Sequence, residues 1–503
     1  MNPFREDRWD KVEPSEIRKA QGHLLARYLR DCVLPFSAHY KKVFADAGLD
    51  AESIQSVEDL RKLPFTTKAD LQPTEENPRK SLDFLLVPDR RTLMRRPGVL
   101  VRGALLGRGR MKAHFERMYR PIFMTSTTGR SAEPTSFLFT AHDIDLLRLA
   151  GQRINQITKT RKDDRVLNTF PYAPHLAFWQ THYSATASGI FSLGSGGGKV
   201  MGTDGNIRML EKLRPTVLTG MPTFVYHVLR QALEEGVRVE SLKTVILGGE
   251  KVPSGSREKL RALANELGSP EIDVVVTFGF TEAKMAWVEA VAPPGEPSSG
   301  YLTYPDLGVF EIVDPDSGEP VGEGEPGEIV YTPLNSRGTV IIRYRTGDCI
   351  DGGLVHEPCP YTGRIVPRLV GKISRQSNRV EMRIDKIKGT LVDFNELEYA
   401  LDDAPWIDTW QLEIRKRNDD PLDLDVLILH AVRAPSDERD EDSLIRDLND
   451  RFAAFTETRL NRVVFHSAAE MRKLHGVGAE LKERKVVDCR PTGDEPAPAT
   501  NGD

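Results

Sequence analysis

A chain of 503 residues is long enough for two or more domains with a substantial core. Its 28% charged residues and net charge of -5 suit a globular protein in water, without the basic excess that points to nucleic acid. Four scattered cysteines (Cys32, Cys349, Cys359, Cys489) make neither a disulfide framework nor a CxxC zinc pair. With no signal-like apolar start and no apolar run of about 18 residues, a reduced, cytoplasmic chain without an integral membrane segment is expected.

Residues 1–70 read as helical, with Ile17, Leu24, Leu25, Tyr28, Leu29 and Val33 at helical spacing. The stretch 90–120 turns basic around the apolar patch Gly98–Leu106, and reads as an insertion that meets solvent, an acidic partner, a nucleotide tail or a membrane surface. Next comes Phe123-Met-Thr-Ser-Thr-Thr-Gly-Arg-Ser-Ala-Glu-Pro-Thr135. Its run of hydroxyls, its glycine and its arginine make a loop suited to phosphate oxygens, although a plain Ser/Thr-rich turn has the same composition.

From 140 to 290, apolar strands alternate with helices. Arg165–Phe170, Thr216–Thr219, Thr244–Leu247 and Ile272–Thr277 are the strands, and Pro222–Leu233 is a helix with proline in its first turn. That alternation predicts a parallel sheet covered on both faces, with ligands at the carboxyl ends of its strands. Two of those ends carry Gly248-Gly-Glu250 and Phe278-Gly-Phe-Thr-Glu282. Residues 300–370 read as β-rich, with strands at Gly308–Val313, Gly327–Tyr331 and Thr339–Tyr344. Beyond Gly371 a small α+β unit is predicted, with a helix opening at Asp393 and Glu396, strands at Asp423–His430 and Val463–Phe465, and a helix over Glu441–Phe455. The expected organisation is a large α/β domain over 1–370, a small mobile α+β domain over 371–490, and a disordered tail over 491–503.

With these pieces in order, the chain resembles the adenylate-forming (acyl-CoA synthetase) superfamily, and within it the phenylacetate–CoA ligase family. The resemblance runs from about Leu60 to Arg490. It rests on Leu63–Leu71, the loop Thr125–Thr135, Phe170–Gly189 with Lys212–Pro222, Gly248–Glu250, Phe278–Glu282 and, most sharply, Arg343-Tyr-Arg-Thr-Gly-Asp348. It implies ATP-dependent activation of an aromatic or otherwise apolar carboxylic acid as an acyl-adenylate, then transfer to CoA. The same fold leaves open a carrier-protein thiol or an amine as acceptor, a small oxyacid as substrate, or a non-catalytic nucleotide-binding protein. A homodimer also stays open.

The resemblance implies roles residue by residue. Thr125, Ser126, Thr127, Thr128, Gly129 and Arg130 would hold phosphates, with Thr128 also catalytic. Gly248, Gly249, Glu250, Gly279, Phe280, Thr281, Arg364 and Lys372 would contact the nucleotide, Phe278 would stack on adenine, and Asp348 would accept from the ribose hydroxyls. Glu282 would be the Mg²⁺ ligand, a hard oxygen donor suited to that ion, and Lys482 the catalytic lysine bridging carboxylate and α-phosphate. Tyr172, His175, Phe178, Trp179 and His182 would contact the acyl group, and the small domain would turn on a hinge near Gly371-Lys372. The chain also departs from the family pattern. Ser126 replaces a loop glycine, Ser131-Ala-Glu133 intrudes before Pro134, and Phe278 replaces a tyrosine. Lys372 and Ser374 stand at hinge positions usually Arg and Asp, and a lone Cys359 predicts no zinc.

Overall fold

The computed structural model describes Phe4 and residues 8–89, 92–93, 97–127, 134–375, 379–385, 388–417, 424–435, 437–456, 459–477 and 485–490. Helices α1 (Pro14–Tyr28) and α2 (Ala38–Asp46) come first. Pro14 begins α1, where a missing N–H is harmless, and the Ser37 hydroxyl caps α2 by accepting from the Tyr40 amide at 3.1 Å. The helical character expected through residue 70 thins out after α2, leaving a short 3-10 turn at Glu58–Lys62 and one helical turn at Lys68–Leu71. The basic stretch forms α3 (Pro97–Tyr119), broken at Gly107, where φ is 79°. A hairpin of β1 (Pro121–Ser126) and β2 (Ser136–Thr140) then leads into α4 (Ala141–Ile157).

The central sheet is where the apolar runs lie. Strands β3 (Arg165–Asn168), β4 (Phe191–Gly194), β5 (Val217–Gly220), β6 (Thr244–Gly248) and β7 (Asp273–Phe280) pair in parallel in the order β7-β6-β5-β3-β4. They are joined in turn by α5 (Leu176–Ser188), α6 (Gly198–Leu213), α7 (Pro222–Glu234) and α8 (Ser254–Glu266). Successive residues point to opposite faces. Val166, Val217, Ile246 and Val275 pack with Ala185 of α5 on one side, while Leu167, Leu218, Val245 and Val274 pack with Leu229 of α7 and Leu263 of α8 on the other. Burial on both faces is why these strands read as unbroken apolar runs. Antiparallel β8 (Met285–Glu289) and β9 (Tyr301–Leu302), then Arg368–Leu369 and Leu354–Val355, extend the sheet to nine strands.

A second, antiparallel sheet follows: β10 (Gly308–Val313), β11 (Gly327–Pro333), β12 (Tyr344–Ile350) and β13 (Ile373–Arg375). The strand expected over Thr339–Tyr344 is absent, because β12 begins only at Tyr344. Val340, Ile341 and Ile342 are instead a buried loop, and Arg343 turns the chain at φ 54°. Its guanidinium donates to the Leu63 carbonyl at 2.8 Å and pairs with Glu311, which ties residues 61–66 to this sheet. Since Ile373–Arg375 still pairs with β12, the chain leaves the large body after Arg375, beyond the boundary expected at 370.

The small unit starts with a β14 (Arg379–Asp385) and β15 (Lys388–Asp393) hairpin and α9 (Phe394–Asp402). Strands β16 (Ile407–Lys416) and β17 (Asp425–Arg433), helix α10 (Glu441–Thr456), β18 (Arg462–Phe465), α11 (Ala468–Leu474) and β19 (Val486–Asp488) complete it. Its sheet order is β18-β17-β16-β19, and Trp410, Leu412, Leu429, Leu448 and Phe452 form its core. Among the described residues no helix is long and apolar enough to cross a membrane.

One buried ion pair joins three parts of the large body. Asp143, in the capping box that starts α4, accepts from the amides of Thr140 (2.9 Å), Arg337 (2.9 Å) and Gly338 (2.8 Å) and lies 3.4 Å from the Lys284 ammonium. Burial alone would raise the carboxyl's pKa; Lys284 and these amides outweigh it and hold the pKa below the ordinary value. A carboxyl depressed in the folded state gives stability that is complete above its unfolded pKa of about 4 and is lost as pH falls through the folded value. Asp143→Asn should therefore cost about 3–5 kcal/mol in denaturant unfolding at pH 7, and less as the pH approaches the acid limb. A loss below about 1 kcal/mol, comparable to an exposed pair, would show that the pair is not a structural tie.

Candidate active site

A cleft of about 1290 Å³ opens at the carboxyl ends of β5, β6 and β7, walled by the second sheet and roofed by the small unit. Gly248 ends β6 so close to β7 that a Cβ there would sit 2.3 Å from the Thr277 hydroxyl, so only glycine fits. Gly249 turns the chain at φ 84° and delivers Glu250 to the N-terminus of α7. There Glu250 accepts from the Thr223 amide at 3.3 Å and the Thr223 hydroxyl at 2.7 Å, a favourable place for a carboxylate. At the end of β7, Gly279, Phe280, Thr281 and Glu282 reach the same wall.

The segment Arg343–Asp348 organises the opposite wall. The Tyr344 hydroxyl donates to Glu282 Oε1 at 2.8 Å; burial first, then the Glu282 charge, push this phenol's pKa up and keep it a donor. Arg345 Nε donates to Glu328 Oε2 at 2.7 Å, and the Gly347 amide donates to Glu328 Oε1 at 3.0 Å. Thr346 ties the strand to the Ile329 carbonyl at 2.8 Å. Asp348 is buried and stands opposite Arg375 in the ladder, with Arg375 Nε 2.7 Å from its Oδ1. Arg375, rather than Asp348 itself, reaches the cleft wall.

The hydroxyl-rich loop is closed at its base. The Thr127 amide donates to the Thr135 carbonyl, and the Thr135 amide donates to the Thr127 hydroxyl, both at 3.0 Å. The Ser126 amide donates to the Pro174 carbonyl at 2.6 Å, and the His175 ring sits 3.2 Å from the Ser126 carbonyl, which ties the loop to the start of α5. Thr127 and His175 line the cleft. The Thr125 and Thr135 hydroxyls are buried without a hydrogen-bond partner, a costly state that a ligand oxygen would relieve. From this mouth the cleft continues inward between α5 and one face of the sheet, past Phe170, Phe178, Ala185, Val166, Val217 and Ile246.

The roof comes from the small unit. Lys251 pairs with Glu398 at 2.8 Å, and the Gly255 amide donates to Asp403 Oδ1 at 2.7 Å. Tyr226 donates to Asp408, and Arg472 reaches Glu234 at 3.3 Å. A Cβ at Gly255 would lie 2.6 Å from the Asp402 carbonyl, so the two bodies meet where one has no side chain. Lys485 lines the cleft and pairs with Asp402 at 2.5 Å, while the Trp410 indole donates to the same carboxylate at 2.8 Å. Burial opposes the Lys485 charge, but Asp402 and Glu398 more than offset it and raise its pKa.

A model of the AMP-binding enzyme family matches residues 141–335, the stretch that contributes most of this cleft's sheet side. The chain is 26% identical over 347 residues to a phenylacetate-coenzyme A ligase of Aromatoleum evansii, covering 67% of each chain. It is 24% identical over 389 residues to the Escherichia coli phenylacetate-coenzyme A ligase, covering 75% of each. These matches support a place near the adenylate-forming enzymes, with the phenylacetate–CoA ligases among the chain's relatives. Its fold is shared with 2-hydroxyisobutyryl-CoA ligase in the postadenylation state, with a TM-score of 0.73, 19% identity, and 96% of this chain and 92% of that one covered.

For an adenylate-forming enzyme the placement of the expected residues is uneven. Thr127, His175, Phe178, Gly248, Gly249, Glu250, Gly279, Phe280, Thr281 and Glu282 share the cleft wall. Thr125 and Ser126 are buried behind it. Phe278 turns away and packs on Phe280, Trp287 and Tyr301, with ring centroids 5.6–6.3 Å apart, so it does not present the face expected to stack on adenine. Arg364 is also misplaced by the sequence reading. It pairs with Asp10 at 2.9 Å and holds the N-terminal segment, away from the cleft. The Lys372 ammonium sits 4.5 Å from the centroid of the Tyr399 ring rather than on the wall. Tyr172 is 62% exposed and Trp179 packs on Phe123, so these two cover the outside of α5, and His182 is likewise off the wall. Thr128, Gly129, Arg130 and Lys482 lie outside the described residues.

Sequence reasoning missed Tyr344, Arg345 and Glu328, although the first two stood inside the sharpest motif. It also missed Lys485, hidden in a basic cluster as though it were a solvated face. The Lys485–Asp402 pair should show a coupling of about 0.5–3 kcal/mol in a Lys485→Met, Asp402→Asn double-mutant cycle read by thermal unfolding. Additive effects would mean that the two side chains act separately.

Proposed function

We propose that this adenylate-forming ligase activates an apolar carboxylic acid with ATP, giving an acyl-adenylate and pyrophosphate, and then passes the acyl group to CoA with release of AMP. The observation that carries the reading is the convergence, in one cleft, of Glu282 held by Tyr344, the hydroxyl loop base at Thr127, the Gly248–Glu250 turn and an apolar channel under α5. Each part has a physical job. The channel of Phe178, Val217, Ile246 and Ala185 takes an apolar acyl group and leaves its carboxylate at the polar mouth. Thr127, at the loop base and on the cleft wall, suits phosphate oxygens. Asp348, buried behind Arg375, would accept from ribose hydroxyls if that arginine moved aside.

Glu282 is the residue through which Mg²⁺ would be held, and its single hard carboxylate fits an ion that takes most of its remaining ligands from phosphate and water. Bound there, the ion neutralises charge that would otherwise repel the carboxylate from the triphosphate. The Tyr344 hydroxyl fixes one Glu282 oxygen and so orients the other. Lys482, by its match to the family lysine, would bridge the carboxylate and α-phosphate as charge develops.

The test is acid-dependent ATP–pyrophosphate exchange across aryl and aliphatic acids, with product mass measured with and without CoA. Exchange with an apolar acid, and an acyl-CoA only when CoA is added, is the expected result. Exchange with no acyl-CoA would redirect the second half-reaction to another acceptor, and no exchange with any acid would overturn the reading. Glu282→Gln should lower exchange by about 100-fold, the order expected when a charge-stabilising contact of the transition state is removed. Lys482→Ala should do the same without moving the melting temperature, which separates its role from that of the structural Lys485.

A further inference from the structure

None of the described residues of the basic stretch lines the cleft, yet its helix has a definite shape. Residues 90–120 hold ten lysines and arginines against one acid, Glu116, in a chain whose net charge is -5. The second half of α3 is seated on the body: Met111 is buried, Tyr119 packs edge-on against Phe36 at 5.1 Å, and Arg117 pairs with Asp145. The first half behaves oppositely. Leu100, Val101, Leu105 and Leu106 are 46%, 58%, 80% and 46% exposed. At roughly 100° per residue these four spread around more than half of the helix circumference. The left-handed break at Gly107 then separates this apolar tip from the exposed Arg108, Arg110 and Lys112.

We propose that this tip is a peripheral docking element for an anionic lipid surface, with Leu100, Val101, Leu105 and Leu106 entering the headgroup–acyl boundary and the arginines after Gly107 meeting lipid phosphates. Charge decides against a second copy of the chain as the occupant, because a twofold contact would set one dense cluster of cations against another with a single acid in each. The distribution of apolar residues decides against a protein groove. A helix in a groove buries one stripe, whereas apolar residues spread beyond one stripe, with Arg102 among them, are satisfied by a medium that surrounds the tip and offers both apolar chains and anionic headgroups. The combination of an apolar segment and adjacent cations is the physical basis of interfacial attachment.

Flotation of the full-length protein with vesicles of phosphatidylcholine, alone or mixed with phosphatidylglycerol, tests this. Bound fraction should rise by about tenfold or more with the anionic lipid and fall at high salt. Leu105→Asp with Leu106→Asp, and separately Arg108→Glu with Arg110→Glu, should each abolish flotation while leaving the melting temperature and exchange with a water-soluble acid unchanged. Flotation that is absent, or equal on neutral lipid, or intact in both double variants overturns the proposal. So does a lipid-free dimer, seen by light scattering, that the leucine variant dissociates. Retention on an immobilised polyglutamate without vesicle binding would assign the surface to an acidic protein and overturn it as well.

Discussion

The buried Asp143–Lys284 contact is the constraint on which the cleft depends. Lys284 follows Glu282 by two residues and adopts a left-handed backbone at φ 62°, so the turn that carries Glu282 to the cleft is fixed at its far end by an ion pair in the core. On the other side Asp143 gathers the start of α4 and the amides of Arg337 and Gly338. Charge taken out of water is tolerated only where such partners are complete. Asp143 has such partners in three amides and the Lys284 ammonium at 3.4 Å, and its contacts set three segments distant in sequence in one geometry. The loop 335–338 leads directly into the buried Val340–Ile342 and then Arg343–Asp348, so the same pair also registers the motif that faces Glu282.

A second constraint runs across the two bodies. The roof contacts are polar and local: Lys251 with Glu398, Gly255 with Asp403, Tyr226 with Asp408. Interfaces of this kind can part without exposing a large apolar surface. Lys485 sharpens the point. It is anchored inside the small unit by Asp402 and Trp410 and yet faces the cleft, so it couples the packing of that unit to the cleft wall.

Much of this was legible in the sequence because it rests on periodicity and on a motif. Runs such as Thr244–Leu247 fixed the parallel sheet, since burial on both faces leaves no polar alternation, and Arg343–Asp348 marked the opposite wall. What was not legible concerns the direction in which a side chain points. Phe278 and Phe280 look equivalent on one strand and both pack on Trp287, but only Phe278 also packs on Tyr301, and only Phe280 reaches the cleft wall. Arg364 carried no sign that its partner would be Asp10, more than three hundred residues away. Thr339–Arg343 had strand composition, but the left-handed Arg343 and the hydrogen bonds it sends to residues 61 and 63 override propensity.

The most direct test of the chemistry follows the oxygen atoms. A single turnover with ATP, CoA and an apolar acid labelled with ¹⁸O in both carboxylate oxygens should place one labelled oxygen in AMP and one in the acyl-CoA carbonyl, with none in pyrophosphate. That outcome requires the carboxylate to attack the α-phosphorus and the thiol to displace AMP. Label in inorganic phosphate or pyrophosphate, or unlabelled AMP beside a formed thioester, would contradict activation through an acyl-adenylate.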